Sequence, residues 1–265
     1  MTAIEVLLPG FSVEIGMMSH QGLVRASNED AWAVFSGRES PPWCAALLGV
    51  FDGVGGLPSG QEASARAAVH MRALLHRPGL SSGKPPEPGA VLERLLTGAH
   101  QSLQADAEAK PSLRGMATTA TVALLARSSP TTLWVGHVGD SPAFRVRGRH
   151  IVKLTVDDRP GSDSTGEVGD TSRSRIRIPH GSYITQALGY GRKVSPHIAS
   201  HDIQPGDRFL LATDGLTDTV PEQSMLDIVA TLPPADACER LVMAANQAGG
   251  HDNITTIVVS FNRNT

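Results

Sequence analysis

Four aspartates in this chain stand where an apolar run stops or starts: Asp52 after "LLGVF", Asp140 after "LWVGHVG", Asp214 after "FLLAT", and Asp252 just before "NITTIVV". Singly, each has an ordinary explanation, because Asp-Gly at 52–53 and 214–215 and Asp-Asn at 252–253 are common turn pairs. Brought together at one edge of a sheet core, they would repel one another strongly unless cations lay between them. Carboxylate oxygens suit hard ions, magnesium or manganese, and the lack of clustered His and Cys points away from zinc. Two such ions about 3.5–4 Å apart can deprotonate a water and polarise a phosphoryl oxygen. Gly53 would let its backbone carbonyl approach one of them.

The elements that must carry these residues are mostly short strands. "AALLGVF" (45–51), "TATVALLA" (119–126), "TTLWVGHVG" (131–139), "DRFLLATD" (207–214) and "NITTIVVSF" (253–261) read as strands, several of them apolar on both faces. "AFRVRGRHIVKL" (143–154) reads as a hairpin turning near Gly148. Helices are predicted over 62–76, over 90–109 and over 235–248; in the second, Val91, Leu92, Leu95, Leu96, Ala99 and Leu103 form one apolar stripe. Residues 77–89 form a Pro/Gly/Ser connector, and 157–182 a long polar loop, a length that is usually functional or mobile inside a domain. With no repeat and no self-sufficient halves, one domain over 1–265 is expected.

Composition narrows the class. A net charge of −3 over 265 residues argues against nucleic acid as the main partner. Cys44 and Cys238 are the only cysteines, so there is no disulfide framework and a reducing cytoplasm is the expected compartment. The N-terminus lacks a basic secretory n-region, and the longest apolar run, "WCAALLGVF", suits a buried strand rather than a membrane span. A soluble monomer without membrane partners is expected.

Several competing motifs fail on chemistry. Gly53-x-Gly55 between strand and helix suggests a dinucleotide loop, but Pro58 stands where the last glycine belongs, and Asp52 would repel a pyrophosphate. "GLSSGKPP" (79–86) is one residue short between its glycines for a P-loop, and Pro85 stands where Ser or Thr would hold magnesium. Ser141, Asp214 and His251 follow the chain order of a hydrolase triad, yet Pro142 has no N–H to give an oxyanion hole, so a serine hydrolase is only the runner-up. Neither cysteine is followed six positions on by arginine, which removes the phosphate loop of thiol phosphatases. His197 and His201 share helical spacing, but their segment reads as extended and they read as solvated.

Taken in order, "GLVRASNEDAW" (22–32), "VFDGVGG" (50–56), "GMATTATVALL" (115–125), "VGHVGDS" (135–141), "ITQALG" (184–189), "LLATDGLTD" (210–218) and "GGHDNITTIVV" (249–259) resemble the metal-dependent, type 2C serine/threonine protein phosphatases, bacterial members in particular. The resemblance implies an α+β fold, a four-layer αββα sandwich of two antiparallel sheets flanked by helices, with a metal centre at one end. It implies that Asp52 bridges two Mn2+ or Mg2+ ions, that Gly53 supplies a carbonyl ligand, and that Asp214 and Asp252 complete the second ion. Asp140, with Asp214, would hold a weaker third ion. Glu29 and Asp30 would act through metal-bound water, and Arg25 would hold the phosphate, as guanidinium chemistry allows. The implied reaction is direct attack of the bridging water on phosphoserine or phosphothreonine, with no phosphoenzyme. The implied partners are phosphoproteins, targets of a serine/threonine kinase. A non-catalytic binding module on the same fold is a third reading, disfavoured because every expected ligand is present.

The chain departs from that family at four places, one of them Ala117 in place of a usual glycine. Val54 stands where many members carry a proton-donating histidine, so the leaving oxygen needs another donor. Asp158 and Arg159 replace a His-Ser pair. The flap over about 156–183 is Gly/Ser-rich, and Arg173, Arg175 and Arg177 alternate as on one face of a strand, best read as a solvated edge.

Overall fold

Side chains of Cys44–Phe51 (β4) alternate between two apolar layers, which is why the sequence shows an unbroken run there. Leu47 and Phe51 face one core, whereas Ala46, Leu48 and Val50 face another. The same division separates Val122 and Leu124 from Ala123 and Leu125 in Ala120–Ala126 (β7), and Phe209 and Leu211 from Leu210 and Ala212 in Arg208–Ala212 (β14). Strands buried on both faces require covered sheets on both sides, so the apolar runs already demand a layered molecule.

The computed structural model describes residues 3–54, 59–80, 87–127, 131–160, 176–177 and 183–264. One antiparallel sheet has six strands in the order Ala3–Leu8 (β1), Phe11–His20 (β2), Ile254–Arg263 (β15), β14, Ala143–Arg147 (β9) and His150–Lys153 (β10). The other has five, in the order His197–Asp202 (β13), Thr132–Val138 (β8), β7, β4 and Ala31–Ser36 (β3). A core of Val13, Ile15, Leu48, Val135, Phe209 and Phe261, among others, lies between the sheets. Ser59–Leu75 (α1) and Pro88–Ala109 (α2) cover the five-stranded sheet, and Glu222–Thr231 (α4) and Pro234–Gln247 (α5) cover the six-stranded one. This is the expected αββα sandwich.

The anticipated apolar stripe of α2 is buried along its length, and each Leu there contributes about 1.5–3 kcal/mol relative to exposure. Pro88 occupies the first turn, and the Glu87 carboxylate accepts from the Gly89 and Ala90 N–H groups at 3.0 and 2.6 Å, which fixes the start of the helix. Among the described residues, two α-helices were not anticipated: α4 and the single turn Asp214–Thr217 (α3). His197 and His201 lie on β13, extended as expected, but in the edge strand of a sheet rather than a solvated loop: His197 bonds to Asp158 and His201 is half-buried. Gly53–Val54 (β5) pairs with Ala117–Thr118 (β6), and of the flap, Ile176–Arg177 (β11) pairs with Tyr183–Ile184 (β12); Arg173 and Arg175 lie outside the described residues, as do Gly55 and Pro58. Among the described residues, no helix is long and apolar enough to cross a membrane.

Candidate active site

The antiparallel pairing brings five chain segments to one end of the sandwich. These are the exit of β4, the entry of β7, the exit of β8, the exit of β14 and the entry of β15, with the 21–30 loop joining β2 to β3 beside them. Between them opens a cavity of about 440 Å³. Its lining includes Arg25, Glu29, Asp52, Gly53, Asp140, Asp214, Asp218, His251 and Asp252. Six of its lining residues are acids and one is an arginine, so its electrostatic character is set by carboxylates.

The backbone of Asp52 is pinned from both sides. The Asp52 carbonyl accepts from Thr118 Oγ1 and from the Thr119 N–H, both at 2.8 Å, and the Asp52 N–H donates to Thr119 Oγ1 at 3.0 Å. Gly53 lies so close to its neighbours that a Cβ there would stand 2.4 Å from the Gly60 carbonyl oxygen and 2.6 Å from that of Glu29. Gly215 is more restrictive, since a Cβ would meet the Asn253 carbonyl at 2.0 Å. The glycine after each aspartate thus lets α1 and α3 pack against the loops that carry Glu29 and Asp252. Asn253 ties the 21–30 loop down: its Nδ2 donates to the carbonyls of Gln21 and Ser27 at 2.8 and 2.9 Å, and its Oδ1 accepts from the Glu29 N–H at 2.8 Å.

The carboxylates are crowded. Burial pushes the Asp52 carboxyl well above its ordinary range, and Asp30, Asp214, Asp140 and Asp252 push it further. Asp214 is raised by burial and by Asp140, Asp218 and Asp252. Asp30 is raised to about 7 by burial, although it accepts from Thr213 Oγ1 at 2.8 Å; its Oδ1 is shielded from solvent and has no hydrogen-bond partner. Burial also raises Glu29, against the attraction of Arg25, and Asp140, against that of Arg159. Buried carboxylates crowded in this way need protons or cations to offset their mutual repulsion.

Among the described residues, no three His, Cys, Asp or Glu side chains close into a ready-made cage. The acids instead ring the cavity and take arginine partners, Arg25 Nη2 at 2.6 Å from Asp252 Oδ2 and Arg159 at 3.0 Å from Asp140 Oδ2. The donor set nevertheless fits hard divalent cations: it is all oxygen, it carries excess negative charge, and it leaves a buried carboxylate oxygen unpartnered.

All eight residues singled out from the sequence fall at this end of the molecule, with Asp30 just behind the cavity wall, linked to Thr213. The rival triad does not assemble: Ser141 is buried, with its Oγ bonded to Thr119 Oγ1 at 2.7 Å. Cys44 and Cys238 are buried, their thiols pushed up to about 12 and about 11, which removes a thiolate nucleophile. Val54 belongs to a small apolar cluster with Ala117, Ile176, Ile184 and Ala187. Sequence reasoning missed Asp218 and the position of Arg159. Asp218 was legible in principle, being four residues after Asp214 on a helical turn, hence on the same face.

A two-sheet sandwich with an acidic, oxygen-lined cleft at one end defines a metal-dependent hydrolase class. The protein phosphatase 2C profile matches residues 16–254, and the chain belongs to that family, whose relatives here are serine/threonine protein phosphatases. It is 33% identical over 244 residues to the serine/threonine protein phosphatase PstP of Mycobacterium tuberculosis, a match covering 91% of this chain but only 43% of PstP. It is 29% identical over 245 residues to the serine/threonine phosphatase stp of Listeria welshimeri, covering 91% of this chain and 93% of that one. The crystal structure of the PstP catalytic domain with two manganese ions superposes with a TM-score of 0.73 at 29% identity, covering 94% of this chain and 98% of that chain.

Proposed function

We propose that this chain is a manganese- or magnesium-dependent phosphatase acting on phosphoserine and phosphothreonine in proteins. The observation that carries the reading is the convergence of Asp52, Asp140, Asp214 and Asp252 on one cleft, where burial and the acids around them raise Asp52 and Asp214. Buried acids clustered in this way repel one another once ionised, and divalent cations placed among them would offset that repulsion.

Asp52, the Gly53 carbonyl, Asp214 and Asp252 would hold two ions, and Glu29 and Asp30 would orient water around them. When bound, such ions supply Lewis acidity toward a phosphoryl oxygen and lower the pKa of a coordinated water. Arg25 would turn from Asp252 to the phosphoryl group, where its fork matches two oxygens and neutralises charge gained in the transition state. Direct attack by water, without a phosphoenzyme, is favoured because both thiols and Ser141 are sealed off. Val54 provides no proton, so the leaving hydroxyl would take its proton from water in the cleft. The substrates would be products of serine/threonine kinases.

The test is hydrolysis of a phosphothreonine peptide with and without Mn2+ or Mg2+. Asp52→Ala and Asp214→Ala should lose metal-dependent turnover while retaining native circular dichroism. Turnover that survives exhaustive chelation, or persists in both variants, defeats the reading.

A further inference from the structure

One flank of the cleft already holds a cation made of protein. Arg159 Nε and Nη2 each lie 3.0 Å from Asp140 Oδ2, and Nη2 lies 3.9 Å from Asp214 Oδ2 and 4.0 Å from Asp218 Oδ1. The Asp140 and Asp214 side chains are only 2% and 14% exposed, so solvent does little to neutralise them. The guanidinium is held there by its neighbour. Asp158 is buried, its N–H donates to the Gly139 carbonyl at 2.7 Å, and its Oδ2 accepts from the Gly139 N–H at 2.8 Å. Gln186 and His197 fix its other oxygen at 2.8 and 3.1 Å. The turn bearing Arg159 is thereby fastened to the loop bearing Asp140.

We propose that Arg159 is the resident cation of this flank, standing among Asp140, Asp214 and Asp218 where a divalent ion would otherwise bind. The chain therefore holds two exchangeable ions and excludes a third. The inference rests on the metallophosphatase reading above and assigns Arg159 a positioning role: it keeps Asp140 and Asp214 in place without itself meeting substrate. A guanidinium stays charged at every physiological pH and cannot dissociate, so neutralisation of this flank does not depend on metal supply. Removing it leaves three carboxylates around an uncompensated space, the donor chemistry a hard divalent ion seeks.

The experiment counts ions. Manganese-depleted protein is titrated with Mn2+ by calorimetry, with free ion followed by electron paramagnetic resonance. The wild-type chain is expected to saturate at two Mn2+. Arg159→Met, which keeps the apolar stem and drops the charge, is expected to bind three, with the added site weaker. Arg159→Gln serves in parallel should the Met variant fold poorly. Arg159→Lys is expected to stay at two, and Arg159→Met with Asp140→Asn to return to two. A third ion bound by the wild-type chain, or an unchanged count in both Met and Gln variants, overturns the inference while leaving the phosphatase reading intact. A wild-type chain that binds no Mn2+ defeats that reading and this inference with it.

Discussion

Metal removal should make this protein less stable as pH rises, and Asp30 gives the effect a size. Its carboxyl moves from an ordinary 3.8 to about 7 because burial opposes ionisation more than its threonine hydrogen bonds favour it. An acid whose pKa is raised by folding binds its proton more tightly in the native state. Its contribution is fully present below pH 3.8 and is lost as pH climbs through 7. About three pKa units at 1.36 kcal/mol each amount to ~4 kcal/mol, of which roughly 2.5 kcal/mol falls between pH 5 and pH 8. The assay is urea unfolding of chelated protein, followed by fluorescence of Trp32, Trp43 and Trp134, at both pH values. Asp30→Asn should remove that share of the slope. Its amide leaves an unpartnered group where Oδ1 now sits, costing about 1–3 kcal/mol at every pH, so the slope and not the absolute stability is diagnostic. Saturating Mn2+ should reverse the wild-type slope, because bound ions require ionised carboxylates. If chelated wild type and Asp30→Asn lose stability in parallel between pH 5 and 8, the account of the buried carboxylates is wrong.

Two further outcomes are expected. Asn253→Ala removes three hydrogen bonds that hold the 21–30 loop and should cost about 2–4 kcal/mol; thermal melting measures this, and a Mn2+ titration should show a raised metal requirement as Glu29 and Arg25 loosen. His137 is buried and held neutral, its pKa lowered to about 4 by burial, so the unfolded chain protonates first as pH drops below 6.5. Stability should fall by about 3 kcal/mol between pH 6.5 and 4, and urea melts of His137→Phe should lack that acid limb.

The layers were readable because two-sided burial leaves a direct trace. A strand such as β4 that meets a core on each face has no polar positions left to alternate. The helix α4 left a fainter trace, with only Met225, Leu226 and Val229 buried in one short element after Pro221. The acids at strand ends were readable for a topological reason: antiparallel strands deliver their ends to common edges, so a carboxylate just past an apolar run is confined to one rim of the sheet. Arg159 was visible only as a departure from the family pattern. Its meeting with Asp140 depends on the buried clamp around Asp158, a contact between loops with no local periodicity. Val54 was read correctly as unable to donate a proton, but its packing with Ile176 and Ile184 required the fold.

The place of β15 in its sheet bears on the order in which the cleft can come into being. This strand lies between β2 and β14, with Ile254 opposite His20 and Thr256 opposite Ala212, so the strand that comes last in chain order within this sheet is an interior one. Until it inserts, β2 and β14 share no ladder, Asp252 is absent, and the loop carrying Arg25 and Glu29 has no Asn253 to hold it. Without β15 the order of this sheet breaks into β1-β2 and β14-β9-β10, with no strand to join them. Assembly of the acidic cleft and closure of the six-stranded sheet are thus one event, a dependence on distant pairing that favours slow folding.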